Sequence, residues 1–254
     1  MNFNKMACVC SNSGSAQGAK RLLAAHYDFV DVNEADVIIA LGGDGFVLHC
    51  LHKYLNLKKP IYGINRGTVG FLMNSFGEEN LPQRIAAART QKLFPLEMKA
   101  VTTDGKEHIG LAFNEVALIR KSQQAANLEI KIDGKVRLEK LVSDGILVAT
   151  PAGSTAYNLS VHGPIIPLGS SILALTPISP FRPRRWRGAL LPHDVSIELI
   201  NKDPKKRPLS ATADSLEVLN IASVTITERK DCCVNLLFDT HHSLEERIIR
   251  EQFE

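Results

Sequence analysis

The chain has 254 residues, 44% of them hydrophobic and 22% charged, which is the balance of a soluble globular protein with one large core or two smaller ones. Its formal net charge of +3 is too small to indicate a nucleic-acid or membrane partner by itself. The sequence lacks an apolar run of membrane-spanning length and an N-terminal signal, and its five scattered cysteines favour reduced thiols, so we expect a cytoplasmic protein with no membrane and no nucleic-acid partner.

The first 92 residues predict an α/β domain with a Rossmann-like parallel sheet. Continuous apolar runs are typical of strands covered on both faces, and helical spacing of apolar residues alternates with them. The predicted strands are 5–11, 36–41 and 60–64, and the predicted helices are 16–25, 46–55 and 79–91. Strand, loop, helix and strand within about thirty residues form a βαβ unit.

Residues 93–239 predict a β-rich, sandwich-like domain, because many short strands follow one another with few helical segments. Turn signals at Asp104-Gly105 and Asp133-Gly134 separate some of them. The predicted strands are 93–103, 107–119, 128–132, 136–142, 146–149, 172–175, 195–201, 208–213, 223–228 and 234–238. The amphipathic tail, residues 240–254, predicts a helix that returns to the N-terminal domain.

The segment GGDG, residues 42–45, follows the predicted strand 36–41 directly. Ligands of parallel α/β sheets bind beyond the carboxyl ends of the strands, where glycines let backbone N–H groups approach a phosphate. Asp44, which the helix dipole keeps ionised, could hold Mg²⁺ there or accept a proton from an attacking hydroxyl. The alternative is an ordinary turn with Asp44 as helix cap.

A second glycine loop, NRGTVGFL at residues 65–72, follows the next predicted strand. Asn65 and Gly67 lie at the end of that strand and are expected to line the same crevice as the GGDG segment. The alternative is an ordinary turn between a strand and a loop.

A third segment, TPAGSTAYNLSVHG at residues 150–163, offers backbone amides, hydroxyls and one aromatic ring. Asn158 and Ser160 could hydrogen-bond a sugar or a base edge. The alternative is a helix start capped by Ser154 or Thr155.

Asn114 and Glu115 interrupt the apolar pattern of the predicted strand 107–119. Burying such a pair is costly without partners, so it indicates a ligand or, alternatively, an internal hydrogen bond. The scattered histidines do not predict a metal site. The absence of GxxxxGK[ST] and of the protein-kinase motifs excludes both of those kinase types.

Together, GGDG, NRGTVGFL, NE, SDG and TPAGSTAYN occur in the order and spacing of the NAD kinase family, which the chain resembles from about residue 36 to 240. GGDG alone is shared with diacylglycerol and sphingosine kinases, whereas the full series is specific. The resemblance implies phosphorylation of NAD at the 2′-hydroxyl of its adenosine ribose, giving NADP. ATP or inorganic polyphosphate would be the donor, and a divalent cation such as Mg²⁺ the cofactor. It also implies a homodimer or homotetramer.

The resemblance also assigns roles to residues of this chain. Asp44 would be the catalytic proton acceptor, Tyr157 would pack against adenine, and Asp144 would bind near the nicotinamide end, reaching from a neighbouring subunit. The residues that would border the donor phosphates are Gly42, Gly43, Asn65 and Gly67. The residues that would contact NAD are Asp44, Gly45, His49, Asn114, Glu115, Asp144, Ala152, Thr155, Ala156, Tyr157, Asn158, Leu159 and Ser160.

The chain departs from the family pattern at two positions. Phe46 stands where most relatives have Thr or Ser, which removes a hydroxyl near the phosphates. Leu216 stands where many relatives have Gln after the Asp214-Ser215 turn. The alternative functions are a lipid kinase of the GGDG type, against which TPAGSTAYN argues, and a non-catalytic dinucleotide sensor, against which Asp44 argues. The basic cluster at 181–188 favours a solvated rim or a subunit contact over nucleic-acid binding.

Overall fold

The computed structural model describes residues 3–67 and 70–240, and the chain divides into two compact units. The first unit extends to Leu93 and resumes at Cys232, and the second is Phe94–Asp231. Among the described residues, no helix combines the length and the apolar character that crossing a membrane requires.

The first unit contains a five-stranded sheet and three helices. Its strands are β1 (Met6–Cys10), β2 (Val37–Gly42), β3 (Ile61–Asn65), β4 (Arg89–Leu93) and β17 (Val234–Phe238), and its helices are α1 (Gly14–Ala24), α2 (Asp44–Tyr54) and α3 (Leu81–Ala87). The order of the strands in the sheet is β1-β2-β3-β17-β4. The pairings β1–β2, β2–β3 and β3–β17 are parallel, and β4 is antiparallel to β17. A 3-10 turn, Leu55–Leu57, follows α2.

Helices α1 and α2 each begin after a residue with extended backbone, Ser13 and Gly43. Ser13 caps α1, because its side chain accepts a hydrogen bond from the N–H of Ala16. Strand β2 is buried along its whole length, and α2 starts at Asp44, two residues after the strand ends. The sheet and helices enclose an apolar core that includes Leu23, Ile39 and Leu237.

The structure corrects two expectations about this unit. Residues 234–238, expected in the β-rich domain, form a strand of the mixed sheet, because Leu236 pairs with Ile61 and Phe238 with Arg89. Of the helix expected at 79–91, only α3 is helical in the structure. The last three residues of the expected range, 89–91, instead begin the edge strand β4. The residues of β4 are mostly polar and exposed, so the sequence lacks the alternation of apolar and polar residues that predicts a strand.

The second unit contains two six-stranded sheets, and every strand pairing in them is antiparallel. The strands are β5 (Leu96–Thr102), β6 (Glu107–Ala112), β7 (Glu115–Arg120), β8 (Ala126–Ile132), β9 (Lys135–Ser143), β10 (Gly145–Ala149), β11 (Ile172–Ile178), β12 (Ala189–Pro192), β13 (Ile197–Asn201), β14 (Leu209–Ala213), β15 (Leu216–Leu219) and β16 (Ile221–Glu228). One sheet has the order β12-β11-β10-β7-β14-β15 and the other β6-β5-β16-β13-β8-β9.

Buried residues of both sheets pack into one core, among them Leu118 and Val148 from the first sheet and Leu128 and Val224 from the second. The expectation of a parallel-sheet α/β domain followed by a β-rich, sandwich-like domain is therefore confirmed. A short segment between β10 and β11 forms a 3-10 turn (Ala152–Thr155) and the four-residue helix α4 (Tyr157–Ser160).

Two details of the second unit differ from the sequence expectation. The strand expected at 107–119 is two strands, β6 and β7, which belong to different sheets and are separated at Phe113-Asn114. The edge strands β12 and β15 were not expected, because both are short and largely exposed. The helix expected at 240–254 lies outside the described residues from 241 onward.

Candidate functional site

Asp44 is the first residue of α2, at the carboxyl end of β2, and it is half-buried. Its carboxylate accepts hydrogen bonds from two consecutive backbone amides: Phe71 N–H donates to Oδ2 (2.7 Å) and Leu72 N–H to Oδ1 (3.0 Å). These amides belong to the last two residues of the second glycine loop. Bonds to both oxygens fix the rotation of the carboxylate, and the start of an 11-residue helix favours its negative charge.

The three glycines of GGDG differ in how much space a side chain would have at each position. A Cβ on Gly42 would lie 2.8 Å from the Cβ of Phe46, so a glycine is needed where the strand passes that side chain. Around Gly43 and Gly45, apart from the adjacent residues and the backbone of the same helix, no atom of the described residues would lie within 4 Å of an added Cβ. Packing of the described chain therefore does not account for glycine at these two positions, whereas close approach by a ligand would.

Asn65 and Gly67 lie beside this loop. The Arg66 N–H donates to the Gly42 carbonyl (2.7 Å), which joins the two glycine loops, and the Gly67 N–H donates to Asn65 Oδ1 (2.8 Å). The Arg66 guanidinium lies over the Phe76 ring, 4.2 Å from its centre. The structure thus brings together the residues expected to border the phosphates, and it adds the backbone of Arg66, which links the two loops.

Phe46 and His49 form a stacked pair on the first turns of α2, with ring centres 6.3 Å apart and planes at 25°. His49 is exposed. The aromatic ring that replaces the usual Thr or Ser therefore packs along its own helix.

In the second unit, Asp214 organises the break between β6 and β7. It lies in the turn between β14 and β15 with φ of 48°, and its carboxylate accepts from the N–H groups of Phe113 (2.7 Å), Asn114 (3.1 Å) and Glu115 (3.3 Å). One side chain thereby accepts from three consecutive backbone donors at the break between the two strands. The side chains of Asn114 and Glu115 do not take part in these bonds.

Asn114 Oδ1 and Glu115 Oε2 are buried and have no hydrogen-bond partner among the described residues. Burial, and secondarily the charge of Asp214, raise the pKa of Glu115 to about 7. Since buried polar atoms are nearly always paired, two unpaired acceptors side by side indicate that a polar ligand completes this region.

The turn at 150–155 is fixed directly onto Asn114. The Thr150 hydroxyl donates to the Phe113 carbonyl (2.6 Å), and the Thr150 N–H donates to the Asn114 carbonyl (2.9 Å). A Cβ on Gly153 would lie 2.1 Å from that same carbonyl, so only glycine fits. The structure therefore brings Asn114 and Glu115 together with the segment that begins at Ala152.

Within that segment, neighbouring side chains differ in burial and in whether their polar groups are already hydrogen-bonded within the protein. Asn158 is fully buried: its amide donates to the carbonyls of Ser154 (3.0 Å) and Pro164 (2.9 Å) and accepts from the Thr176 hydroxyl (2.7 Å). Its side chain thus serves the fold. Tyr157 is half-buried against a small apolar cluster of the sheet. The remaining predicted contact residues are Ala152, which is buried, Thr155, Ala156 and Leu159, which are half-buried, and Ser160, which is exposed.

Asp144 is not brought to this cluster. It precedes β10, whose first residue pairs with Ile119 and whose last residue, Ala149, pairs with Glu115. Asp144 therefore stands at the opposite end of a five-residue strand, about 15 Å from Glu115 at the usual rise of a strand. There Arg120 Nε donates to Asp144 Oδ1 (2.5 Å), a pairing that leaves 40% of the Asp144 side chain exposed.

Comparison with known proteins covers both units. Residues 1–92 match the family model described as the ATP-NAD kinase N-terminal domain, and residues 113–223 match the ATP-NAD kinase C-terminal domain. An NAD kinase of Rhizobium meliloti is 52% identical over 251 residues, which are 99% of this chain and 98% of the relative. An NAD kinase of Brucella suis is 54% identical over 96% of this chain and 95% of the relative.

This chain belongs to the NAD kinase family. Its fold matches those of two solved members at low identity. Yeast NADH kinase complexed with NADH superposes with a TM-score of 0.85 at 21% identity, covering 99% of this chain and 87% of the other. An NAD kinase from Archaeoglobus fulgidus in complex with ATP superposes with a TM-score of 0.74 at 23% identity, covering 96% of this chain and 97% of the other.

The structure identifies residues around the NAD kinase motifs whose roles sequence reasoning missed. Asp214 was noted for its retained turn, but the turn gave no sign that its carboxylate reaches Phe113. Arg120, the partner of Asp144, carried no local signal beyond being polar at the end of an apolar strand. Thr150 opens the third predicted segment, but nothing in that segment indicated that it fixes the turn on Asn114. Their partners lie between 24 and 101 residues away along the chain, so spacing could not reveal them.

Proposed function

We propose that this NAD kinase family member transfers the terminal phosphoryl group of ATP to the 2′-hydroxyl of the adenosine ribose of NAD, giving NADP and ADP. The observation that carries the proposal is Asp44, a carboxylate at a helix start whose two oxygens are oriented by consecutive backbone amides. In this reaction the hydroxyl oxygen bonds to the γ-phosphorus, the bond from that phosphorus to the β,γ-bridging oxygen breaks, and the hydroxyl proton passes to Asp44.

The glycine loop supports the donor half of the proposal. Gly43 and Gly45 flank Asp44 at the start of α2 and have open space around them among the described residues. Backbone N–H groups at such a helix start bind phosphate without steric hindrance. Gly42, Asn65 and Gly67 border the same loop, and the Arg66 N–H joins the two glycine loops through the Gly42 carbonyl. We assign this region to the phosphates of the donor.

The second unit supports the dinucleotide half. The unpaired acceptors of Asn114 and Glu115 suit ribose hydroxyls, which are donors, and the half-buried ring of Tyr157 offers a face for adenine. The main chain and side chains from Ala152 to Ser160 complete the contacts, with Asn158 acting through the shape of the turn. Gly45 and His49 belong to the first unit, and we propose them as NAD contacts on the family resemblance alone.

A divalent cation such as Mg²⁺ fits this residue set as a companion of the nucleotide. Among residues 3–67 and 70–240, no group of three or more His, Cys, Asp or Glu side chains could hold a metal ion. Mg²⁺ commonly takes substrate phosphates and water together with one or two carboxylates, so a protein cage is not needed. When bound, the cation would neutralise charge on the transferring phosphate, and Asp44 is the carboxylate that the glycine loop itself contains.

Asp144 supports an oligomeric enzyme. Its position at the far end of β10 from Glu115 separates it from the other proposed NAD contacts of its own chain. We propose that Asp144, oriented by Arg120, contacts NAD bound to a neighbouring subunit of a homodimer or homotetramer.

The decisive experiment measures NADP formation from NAD, ATP and Mg²⁺ by the purified protein and by Asp44→Asn. We expect wild-type turnover and a loss of roughly 10²–10⁴-fold in kcat for the variant, with NAD affinity largely kept, because the amide cannot accept the proton. The matched control is Asp36→Asn. Asp36 also accepts two backbone N–H groups in the first unit, from Asn4 (2.9 Å) and Lys5 (3.0 Å), and its loss should leave kcat unchanged.

Other outcomes would identify the alternatives. A dinucleotide sensor would bind NAD without forming NADP, and a lipid kinase would leave NAD untouched while phosphorylating a diacylglycerol. Normal turnover of Asp44→Asn would contradict the role given to Asp44. Replacing ATP with inorganic polyphosphate in the same assay distinguishes the two donors.

A further inference from the structure

Segment 70–74 joins the carboxylate of Asp44 to the centre of the first unit's sheet. Strands β3 and β17 pair in parallel at Ile61 and Leu236. Further along, Asn74 lies between them, forming a parallel bridge with Ile64 of β3. Phe71 and Leu72, three and two residues before it, each donate a backbone hydrogen bond to the carboxylate of Asp44.

The Asn74 side chain replaces strand-to-strand bonds at this point. Its amide nitrogen donates to the carbonyls of Gly63 (3.0 Å) in β3 and Leu237 (2.9 Å) in β17, and its oxygen accepts from the N–H of Asp239 (2.8 Å). The side chain is fully buried. No other uncharged side chain of similar size offers two donors and an acceptor in this geometry.

The Asn74 main chain is fixed as firmly. Its N–H donates to Gly63 O (2.7 Å), and its carbonyl accepts from Asn65 N–H (2.8 Å). A Cβ on Gly63 would lie 3.1 Å from the Leu72 carbonyl and 3.0 Å from Met73 Sδ, so the segment lies directly against β3. The positions of the Phe71 and Leu72 amides therefore follow from where Asn74 is held.

A second set of hydrogen bonds connects Asp239, which follows β17, to the residues that follow Asn74. Asp239 accepts from the Tyr62 hydroxyl (2.5 Å) and from Arg84 (2.6 Å), and Arg84 also donates to the carbonyls of Ser75 (2.8 Å) and Gly77 (3.3 Å). Burial, together with the bond to Asp239, raises the pKa of Tyr62, so the phenol remains a neutral donor. This network holds Asp239, whose N–H is one of the three partners of the Asn74 side chain.

We propose that Asn74 is a positioning residue for Asp44: by bridging β3 and β17 it sets the two amides that orient the catalytic carboxylate. The inference rests on the proposed role of Asp44 as proton acceptor. Asn74 itself does not touch substrate. Its loss should therefore lower the rate of the chemical step and leave the binding of NAD and ATP nearly unchanged.

The kinetic test is a double-mutant cycle with Asn74→Ala and Asp44→Asn in the full chain. We expect Asn74→Ala to lower kcat roughly 10- to 100-fold, as a misplacement of about 1 Å does, with both KM values within about threefold of wild type. On the Asp44→Asn background, the same substitution should lower the residual kcat less than about twofold, because the group that Asn74 positions is already lost.

A direct structural measurement accompanies the kinetics. Hydrogen exchange of the Phe71 and Leu72 amides should accelerate at least about 10-fold in Asn74→Ala, because those amides lose their fixed acceptor. The matched control is Asn201→Ala in the second unit. Asn201 is also a buried asparagine that donates to two carbonyls, Arg207 (2.9 Å) and Ile221 (3.2 Å), and accepts from the N–H of Asp203 (3.2 Å). Its loss should leave kcat and both amides unaffected.

Each outcome is decisive. Equal kcat losses from Asn74→Ala in the two backgrounds, or unchanged exchange of both amides, would overturn the positioning role. Normal turnover of Asp44→Asn alone would instead refute the proposed function. If Asn74→Ala does not fold, Asn74→Ser in the same cycle decides. It keeps an acceptor for Asp239 but cannot bridge both carbonyls, so we expect a kcat loss of at least about fivefold that disappears on the Asp44→Asn background.

Discussion

Among single residues, Tyr157 and Asn158 show that neighbouring positions of the motif TPAGSTAYN have different roles. The amide of Asn158 is enclosed and bonded to three groups of its own chain, and a Cβ on Gly163 would lie 2.0 Å from its oxygen. The Tyr157 ring is half-buried on an apolar cluster. Adjacent letters of one motif thus serve folding in one case and, in our proposal, binding in the other.

This contrast predicts that alanine at one position lowers stability and alanine at the other weakens NAD binding. Asn158→Ala should lower the free energy of unfolding by about 2–4 kcal/mol, because it leaves Thr176 and two carbonyls without partners. Tyr157→Ala should raise KM for NAD roughly 10-fold with a smaller change in kcat, since it removes the proposed contact with adenine. Urea unfolding and saturation kinetics of both variants test the pair. An unchanged KM in Tyr157→Ala would remove that ring from the NAD site.

Among the secondary-structure elements, the break between β6 and β7 is held in place by the turn between β14 and β15. The β14–β15 turn places Asp214 on three amides of the break, and the same proximity adds negative charge beside Glu115. Without a ligand this junction holds a carboxyl group that burial keeps from ionising readily.

The junction predicts a pH-dependent stability. The pKa of Glu115 rises from 4.5 to about 7 on folding, so the folded state binds the proton more tightly than the unfolded chain. Wild-type stability should therefore fall as pH rises from about 4.5 to 7, and Glu115→Gln should remove this contribution. The variant should equal wild type near pH 4 and exceed it by about 3 kcal/mol at pH 8.

Denaturant unfolding of both proteins at several pH values measures this difference. Because other titrating groups are common to the two chains, their contributions cancel in the comparison. A difference that stays constant from pH 4 to pH 8 would show that Glu115 ionises as freely in the folded protein as in the unfolded chain.

The elements that sequence predicted well are those with strong local patterns. Buried strand β2 and the helix after it follow from an apolar run and a glycine loop, and they locate Asp44 correctly at the helix start. Edge strands β4, β12 and β15 lack that pattern because solvent covers much of them. The break at Phe113 depends on Asp214, 101 residues away, and the bridge of Asn74 depends on Leu237, 163 residues away. Such contacts exist only after the chain has folded.

At the scale of the whole molecule, each unit brings its own chain ends together. In the first unit, Leu93 pairs with Val234 at the point where the chain leaves and returns. In the second, the Arg229 N–H donates to the Pro95 carbonyl (2.8 Å). Each unit also has its own apolar core. The second unit is therefore an insertion whose removal leaves two adjacent strand ends.

This arrangement predicts that the first unit can be closed without the second. Joining Leu93 to Val234 through Asn-Gly should form a two-residue hairpin between β4 and β17, because these strands are antiparallel neighbours in that register. The shortened chain should unfold cooperatively in urea and show no NADP formation. The matched chain that ends at Leu93 lacks β17, which exposes the edge of β3 and removes Leu237 from the core, so it should not fold. Equal stability of the two chains would contradict the assignment of residues 234–238 to the first unit's core.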